Sequence, residues 1–118
     1  MKPLLLLGAA LLLGACQQQQ LVNQSNLSPQ ARGHSLATAS CAACHGIKRH
    51  SIMSPNPQSP SFPTIVNQQG LTRETLTSWL RNAHNYPAEM EFELDPRSVD
   101  DLVEYMLTLS DPNYKPIG

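Results

Sequence analysis

Aromatic residues are scarce in this chain, with one Trp, three Tyr and two Phe among 118 residues. A core built on large rings is therefore excluded, along with the burial such side chains supply. Excess charge of either sign is also lacking, with 8 Lys+Arg against 9 Asp+Glu and a formal net charge of −1. That balance excludes a nucleic-acid binder working by phosphate neutralisation. Cysteine is limited to three residues, too few for a disulfide scaffold and odd in number. No apolar run reaches the ~20 residues a helix needs to cross a bilayer. What remains is a globular composition, neither collagen-like nor wholly disordered, and long enough for a single domain.

The longest apolar run, Leu4 to Leu13, follows Met1, Lys2 and Pro3 and reads as the core of an export signal. Leu13-Gly14-Ala15-Cys16 resembles the bacterial lipobox, in which the cysteine becomes the acylated first residue of the mature chain. Residues 1–15 are then a signal peptide, and Cys16 is the site of lipidation. Gln17 stands where that lipoprotein class uses Asp for inner-membrane retention, so outer-membrane attachment facing the periplasm is expected. Two or three acyl chains anchor firmly, where one is marginal. Residues 16–27 continue as a polar, low-complexity tether without period, with an r.m.s. reach of about 18 Å.

Residues 28–118 form the domain, and its patterns are helical throughout. Ser28-Pro29 is a cap followed by proline at the first helical position, opening a helix that can run through Gly33, Leu36, Ala37, Ser40, Cys41 and Cys44. Ser54 to Pro63 holds four prolines and excludes regular helix and central strand alike. Thr72 caps a second helix with Leu76, Trp79, Leu80 and Ala83 on one face, ended by His84-Asn85-Tyr86-Pro87. Asp95-Pro96 opens a third with Val99, Leu102, Val103 and Met106 in register, closed by Asp111-Pro112. No alternating pattern is present, so the predicted fold is all-α with three main helices. Charge is uneven: residues 16–90 sum to +3 and residues 91–118 to −5, which reads as a solvated acidic helix face, with a patch for a basic partner as the alternative.

So few large apolar residues make a thin core for ~85 ordered residues, and scaffolds of this kind usually enclose a disulfide set, a metal or a cofactor. Cys41-Ala42-Ala43-Cys44-His45 is the one constellation that can supply it. The Cys-x-x-Cys-His spacing is that of c-type haem attachment. Two thiols three residues apart on a helix share a face and reach two vinyl groups on one porphyrin edge, and the next residue turns its imidazole to the iron. A zinc site needs a fourth ligand, His50 or His34. A thioredoxin-like pair needs a preceding strand and a βαβ frame, which the patterns lack. A plain disulfide is the blandest alternative.

Residues 28–110 resemble a class I cytochrome c, the single-haem family with His and Met as axial ligands. The resemblance rests on Ala31-Arg32-Gly33-His34-Ser35-Leu36 leading to Cys41-Ala42-Ala43-Cys44-His45-Gly46, and on Leu102-Val103-Glu104-Tyr105-Met106-Leu107-Thr108-Leu109 as the closing helix. It implies a small domain around one covalently attached haem c, bound by Cys41 and Cys44. It also implies that Gly33 is the small residue where first and last helices cross, with Tyr105 at the closing helix's aromatic position. His45 is then one iron ligand. Met90, within Tyr86-Pro87-Ala88-Glu89-Met90, is similar in context to the family's second ligand, although Glu91 replaces the Pro that often follows. His84 and Met53 compete with Met90 for that position; Met106, on an apolar stripe, belongs to the core. The family holds the proximal imidazole with a proline carbonyl, for which Pro60 in Ser59-Pro60-Ser61-Phe62 is the match and Pro57 the alternative. Phe62 would pack on the haem, and the Trp79 indole N–H and Arg81 would meet its propionates, with core packing and a solvated helix face as their alternatives. His34 and His50 are expected to be exposed and idle.

A thioether ligand favours ferrous iron and raises the reduction potential. With both axial positions filled by protein, the expected role is a membrane-tethered periplasmic electron carrier, not an enzyme. Its partners would be redox proteins such as a dehydrogenase, a cytochrome complex or an oxidase, with the chain a monomer or a subunit of a redox complex. The alternative is a haem enzyme or a gas or peroxide sensor with a displaceable Met90.

Overall fold

The structure is a computed structural model that describes residues 25–82 and 93–116. The signal peptide, Cys16, most of the tether, Ala83, His84 and Met90 lie outside the described residues. Four helices make up the described chain: α1 Pro29–Ser40, α2 Phe62–Val66, α3 Arg73–Asn82 and α4 Pro96–Leu107. No strand occurs among the described residues, and the class is all-α.

Each helix starts where a side chain satisfies amides that have no partner in the first turn. Ser28 Oγ accepts the Ala31 N–H at 3.2 Å, with Pro29 beginning α1. Thr72 Oγ1 accepts the Thr75 N–H at 3.2 Å while Thr75 Oγ1 accepts the Thr72 N–H at 2.9 Å, a reciprocal cap of the box type built from two threonines. Glu74 lies in the first turn of α3 and Arg81 in the last, both favourable to the helix dipole. Asp95 caps α4 by accepting the N–H groups of Arg97 and Ser98, at 3.0 and 3.1 Å.

Two local expectations are corrected. Helix is excluded by the prolines only as far as Ser61, because α2 begins at Phe62 with Pro63 inside its first turn. A proline there gives up an amide that would be unpaired anyway, and Ser61 caps the turn. The opening helix ends at Ser40 and does not continue through the cysteines. Cys41 to Cys44 instead form a turn, in which the Cys44 and His45 amides both donate to the Cys41 carbonyl, at 3.1 and 2.8 Å.

The core lies between the helices, with Leu76 of α3 and Val99, Leu102, Val103 and Met106 of α4 at most 1% exposed. Phe62, Ile65 and Val66 of α2 close it from another side. α1 contributes buried Gly33 and Ala37, one turn apart, so α4 can approach its backbone closely. A Cβ on Gly33 would lie 1.9 Å from the Asp101 carbonyl oxygen and 2.8 Å from Tyr105 Cβ. The helices therefore cross on a glycine.

The acidic face of α4 is paired rather than simply solvated. Asp101, 8% exposed, takes a bidentate contact from Arg32 of α1, with both N–O distances 2.6 Å. That contact holds the Arg32 guanidinium above its ordinary pKa, chiefly by the hydrogen bond to Asp101. Glu104 receives Arg73 at 2.5 Å, and Asp100 receives Arg81 at 3.3 Å. Three basic residues of the first part of the chain thus meet three acids of α4.

Candidate haem site

The Cys41–His45 turn is positioned by bonds from both directions along the chain. Cys41 and Ala42 amides donate to the Ala37 carbonyl, each at 2.9 Å, joining the turn to the end of α1. Beyond the turn, the Gly46 amide donates to Ser54 Oγ at 2.9 Å and the Asn56 amide donates to the Cys44 carbonyl at 3.2 Å. The Gly46 carbonyl accepts the Phe62 amide at 2.8 Å, which brings the start of α2 alongside the turn. A Cβ on Gly46 would come within 2.6 Å of the Met53 carbonyl oxygen, so this fold-back needs glycine.

His45 Nδ1 lies 2.7 Å from the Pro60 carbonyl oxygen. A carbonyl only accepts, so Nδ1 carries the proton and Nε2 keeps its lone pair free for a metal. The Phe62 ring stands 5.7 Å from the imidazole, tilted by 47°. Cys41 and Cys44 are both unbridged. Burial, with a smaller contribution from neighbouring Cys44, pushes the Cys41 thiol up to about 11. Reactive dithiols work in the opposite direction, by lowering a thiol's pKa in an electropositive setting. Among the described residues no three His, Cys, Asp or Glu side chains converge as a metal site, so Cys41, Cys44 and His45 form no zinc cage with His34 or His50.

The structure therefore brings Cys41, Cys44, His45, Pro60 and Phe62 into one neighbourhood. Trp79 and Arg81 belong to α3, where Trp79 is 46% exposed and Arg81 faces Asp100 of α4. Met53 is 77% exposed on the loop after the motif, and Met106 is buried in the core. His50 is exposed; His34 is exposed too, but its ring packs on Tyr105 at 4.9 Å. Together with Thr38, Ile47 and Ser51, His34 and His45 line an open crevice of about 560 Å³ beside the motif.

Several supporting residues escape a reading of the sequence. The Tyr105 hydroxyl donates to the Ile47 carbonyl at 2.8 Å, and the Arg49 guanidinium donates to the Thr108 carbonyl, so α4 grips the segment that follows His45. Burial pushes the Tyr105 phenol above its ordinary pKa. Ser61 Oγ, Thr64 Oγ1 and the Tyr114 hydroxyl form a hydrogen-bonded row directly after Pro60. Ser61 and Pro63 do carry a signal, the same cap-and-proline pattern that marks α1 and α4; the long-range partners carry none.

The donor set fits haem c. It offers two free thiols at the attachment spacing, and an imidazole whose tautomer leaves the metal-binding nitrogen open. A family model described as Cytochrome c matches residues 30–110.

The chain belongs to the cytochrome c family.

No curated protein and no solved structure matches this cytochrome. Its membership makes it an electron-transfer haem protein of the c type, whose cofactor is held covalently. Members of the family generally carry electrons. Cys41 and Cys44 are the only two cysteines in the matched residues, so they are the thiols such attachment would use.

Proposed function

We propose that this cytochrome is a membrane-tethered periplasmic carrier of single electrons. One haem c would be attached through Cys41 and Cys44, with His45 and Met90 as axial ligands. The observation that carries the reading is the His45 Nδ1 contact with the Pro60 carbonyl, because it presets the tautomer and orientation a proximal ligand needs. When bound, the haem iron supplies a one-electron couple.

The chain's own residues do the remaining work. Pro60 orients His45 and raises its basicity toward the metal, Phe62 packs on its ring, and the Cys41–Cys44 turn leads directly into it. Met90 would supply a thioether to the iron, whose soft sulfur would raise the potential and leave small ligands little access. Trp79 and Arg81 are proposed as propionate contacts, in line with the resemblance. Acylation at Cys16 would tether the domain, and Gln17 favours the outer membrane. The partners would be redox proteins.

Optical spectra of the matured chain in both redox states test this reading, with an intact-mass measurement on the same material. The expected result is one covalent haem and an acylated Cys16 as first residue. The oxidised protein should show a thioether-to-iron band that Met90→Ala abolishes. Ready binding of CO by the reduced protein at neutral pH would instead favour a haem enzyme or gas sensor with a displaceable Met90. A colourless product would overturn the haem assignment altogether.

A further inference from the structure

The Pro60 carbonyl is an effective acceptor only while its peptide plane holds still. Proline fixes its own φ, so what is left is rotation of the Pro60–Ser61 peptide. Ser61 sits at the far end of that peptide, 3% exposed, with φ −69° and ψ 154°, and caps α2. Its Oγ accepts the Thr64 N–H at 3.3 Å and lies 2.9 Å from Thr64 Oγ1. Thr64 Oγ1 in turn lies 2.8 Å from the Tyr114 hydroxyl, 50 residues further on. Each hydroxyl can donate or accept, so the three oxygens form one continuous row in either direction. Tyr114 is itself held, because its amide donates to the Asp111 carbonyl at 3.0 Å and the Asp111 amide donates to Asn67 Oδ1 at 2.8 Å.

We infer that Tyr114 and Thr64 are positioning residues for the proximal ligand, acting through Ser61 to hold the Pro60 carbonyl on His45 Nδ1. The inference rests on the haem reading above and deepens it. A firm bond at Nδ1 makes the imidazole a stronger donor to ferric iron and lowers the potential. Loosening the row weakens that bond, so the potential rises.

The test uses the haem-loaded full chain and two readouts, solvent exchange of the His45 Nδ1–H by NMR and the reduction potential. Tyr114→Phe should speed the exchange about fivefold and shift the ferrous-to-ferric ratio about threefold toward ferrous, ~28 mV at 59 mV per tenfold for one electron. Thr64→Val should do the same, and the double variant should add little, since one chain is broken twice. Thr64→Ser, which restores the hydroxyl, should return both readouts to those of the parent. Thr72→Val removes a comparable hydroxyl contact, the cap of α3, and should leave the Nδ1–H exchange unchanged. Unmoved exchange and potential in Tyr114→Phe and Thr64→Val would overturn the inference, as would an equal shift in Thr72→Val. Failure of the parent chain to carry haem would sink the haem reading instead. The nitrogen shifts of His45 in the unloaded chain would then decide the row alone, with a smaller share of the Nδ1–H tautomer in Tyr114→Phe than in the parent if it holds and equal shares if it does not.

Discussion

At Gly33 a single hydrogen atom sets how closely two helices approach. A methyl group there would meet backbone, the Asp101 carbonyl at 1.9 Å, and backbone cannot rotate away as a side chain can. Gly33→Ala should therefore push α4 off α1 and cost about 1–3 kcal/mol, the range for overpacking a tight contact. A denaturant midpoint unchanged from the parent would refute that crossing. The resemblance of the opening helix to the family pointed to this glycine before any coordinates did. The Arg32–Asp101 pair beside it was not legible in the same way. Its members stand 69 positions apart, and a count of charges cannot tell a paired face from a solvated one. Likewise Tyr114 looks like any tyrosine near a chain end until the fold brings it to Thr64.

The elements were easiest to read where a cap and a proline coincide. Ser28-Pro29 and Asp95-Pro96 announce α1 and α4 because side-chain oxygen and ring each meet a need of the first turn. Ser61 with Pro63 carries the same information, but it is masked by the other prolines around it, and α2 is only five residues long. The end of α1 is not legible in the sequence because nothing in Ser40-Cys41-Ala42-Ala43 forbids helix; the chain turns there through tertiary bonds with Ser54, Asn56 and Phe62. The cap of α4 also sets a pH response. Hydrogen bonds from Ser98, side chain first and then amide, and from the Arg97 amide hold the Asp95 carboxyl below the usual carboxylate range. A lowered folded pKa means that this contribution is present above the ordinary carboxylate range and is lost as pH falls through the folded value. Thermal unfolding followed across the acid range should show the parent losing stability more steeply than Asp95→Asn, which caps without titrating. Parallel pH profiles for the two would disprove this role for Asp95.

Across the whole molecule, the helices alone enclose little. Among the described residues the largest fully buried side chains are Leu76 and four residues of α4, and α1 presents only a glycine and an alanine to that core. Among the described residues the buried aromatic ring, Phe62, stands against His45, so its packing continues into the haem site rather than stopping at the helices. In a chain with six aromatic residues, a covalently held cofactor would be the missing large apolar body, and its contacts would count toward folding as any group bound only by the native state does. Cys41→Ser combined with Cys44→Ser prevents attachment while changing little else in the turn. That variant should lose about 3 kcal/mol or more, a fall in Tm on the order of 15 °C. It should also lose near-UV circular dichroism before far-UV, because the caps at Ser28, Thr72 and Asp95 still favour local helix after tertiary packing weakens. Unfolding as cooperative as that of the haem-loaded chain, with the same midpoint, would show that the helices suffice without the cofactor and that the small core had been underestimated.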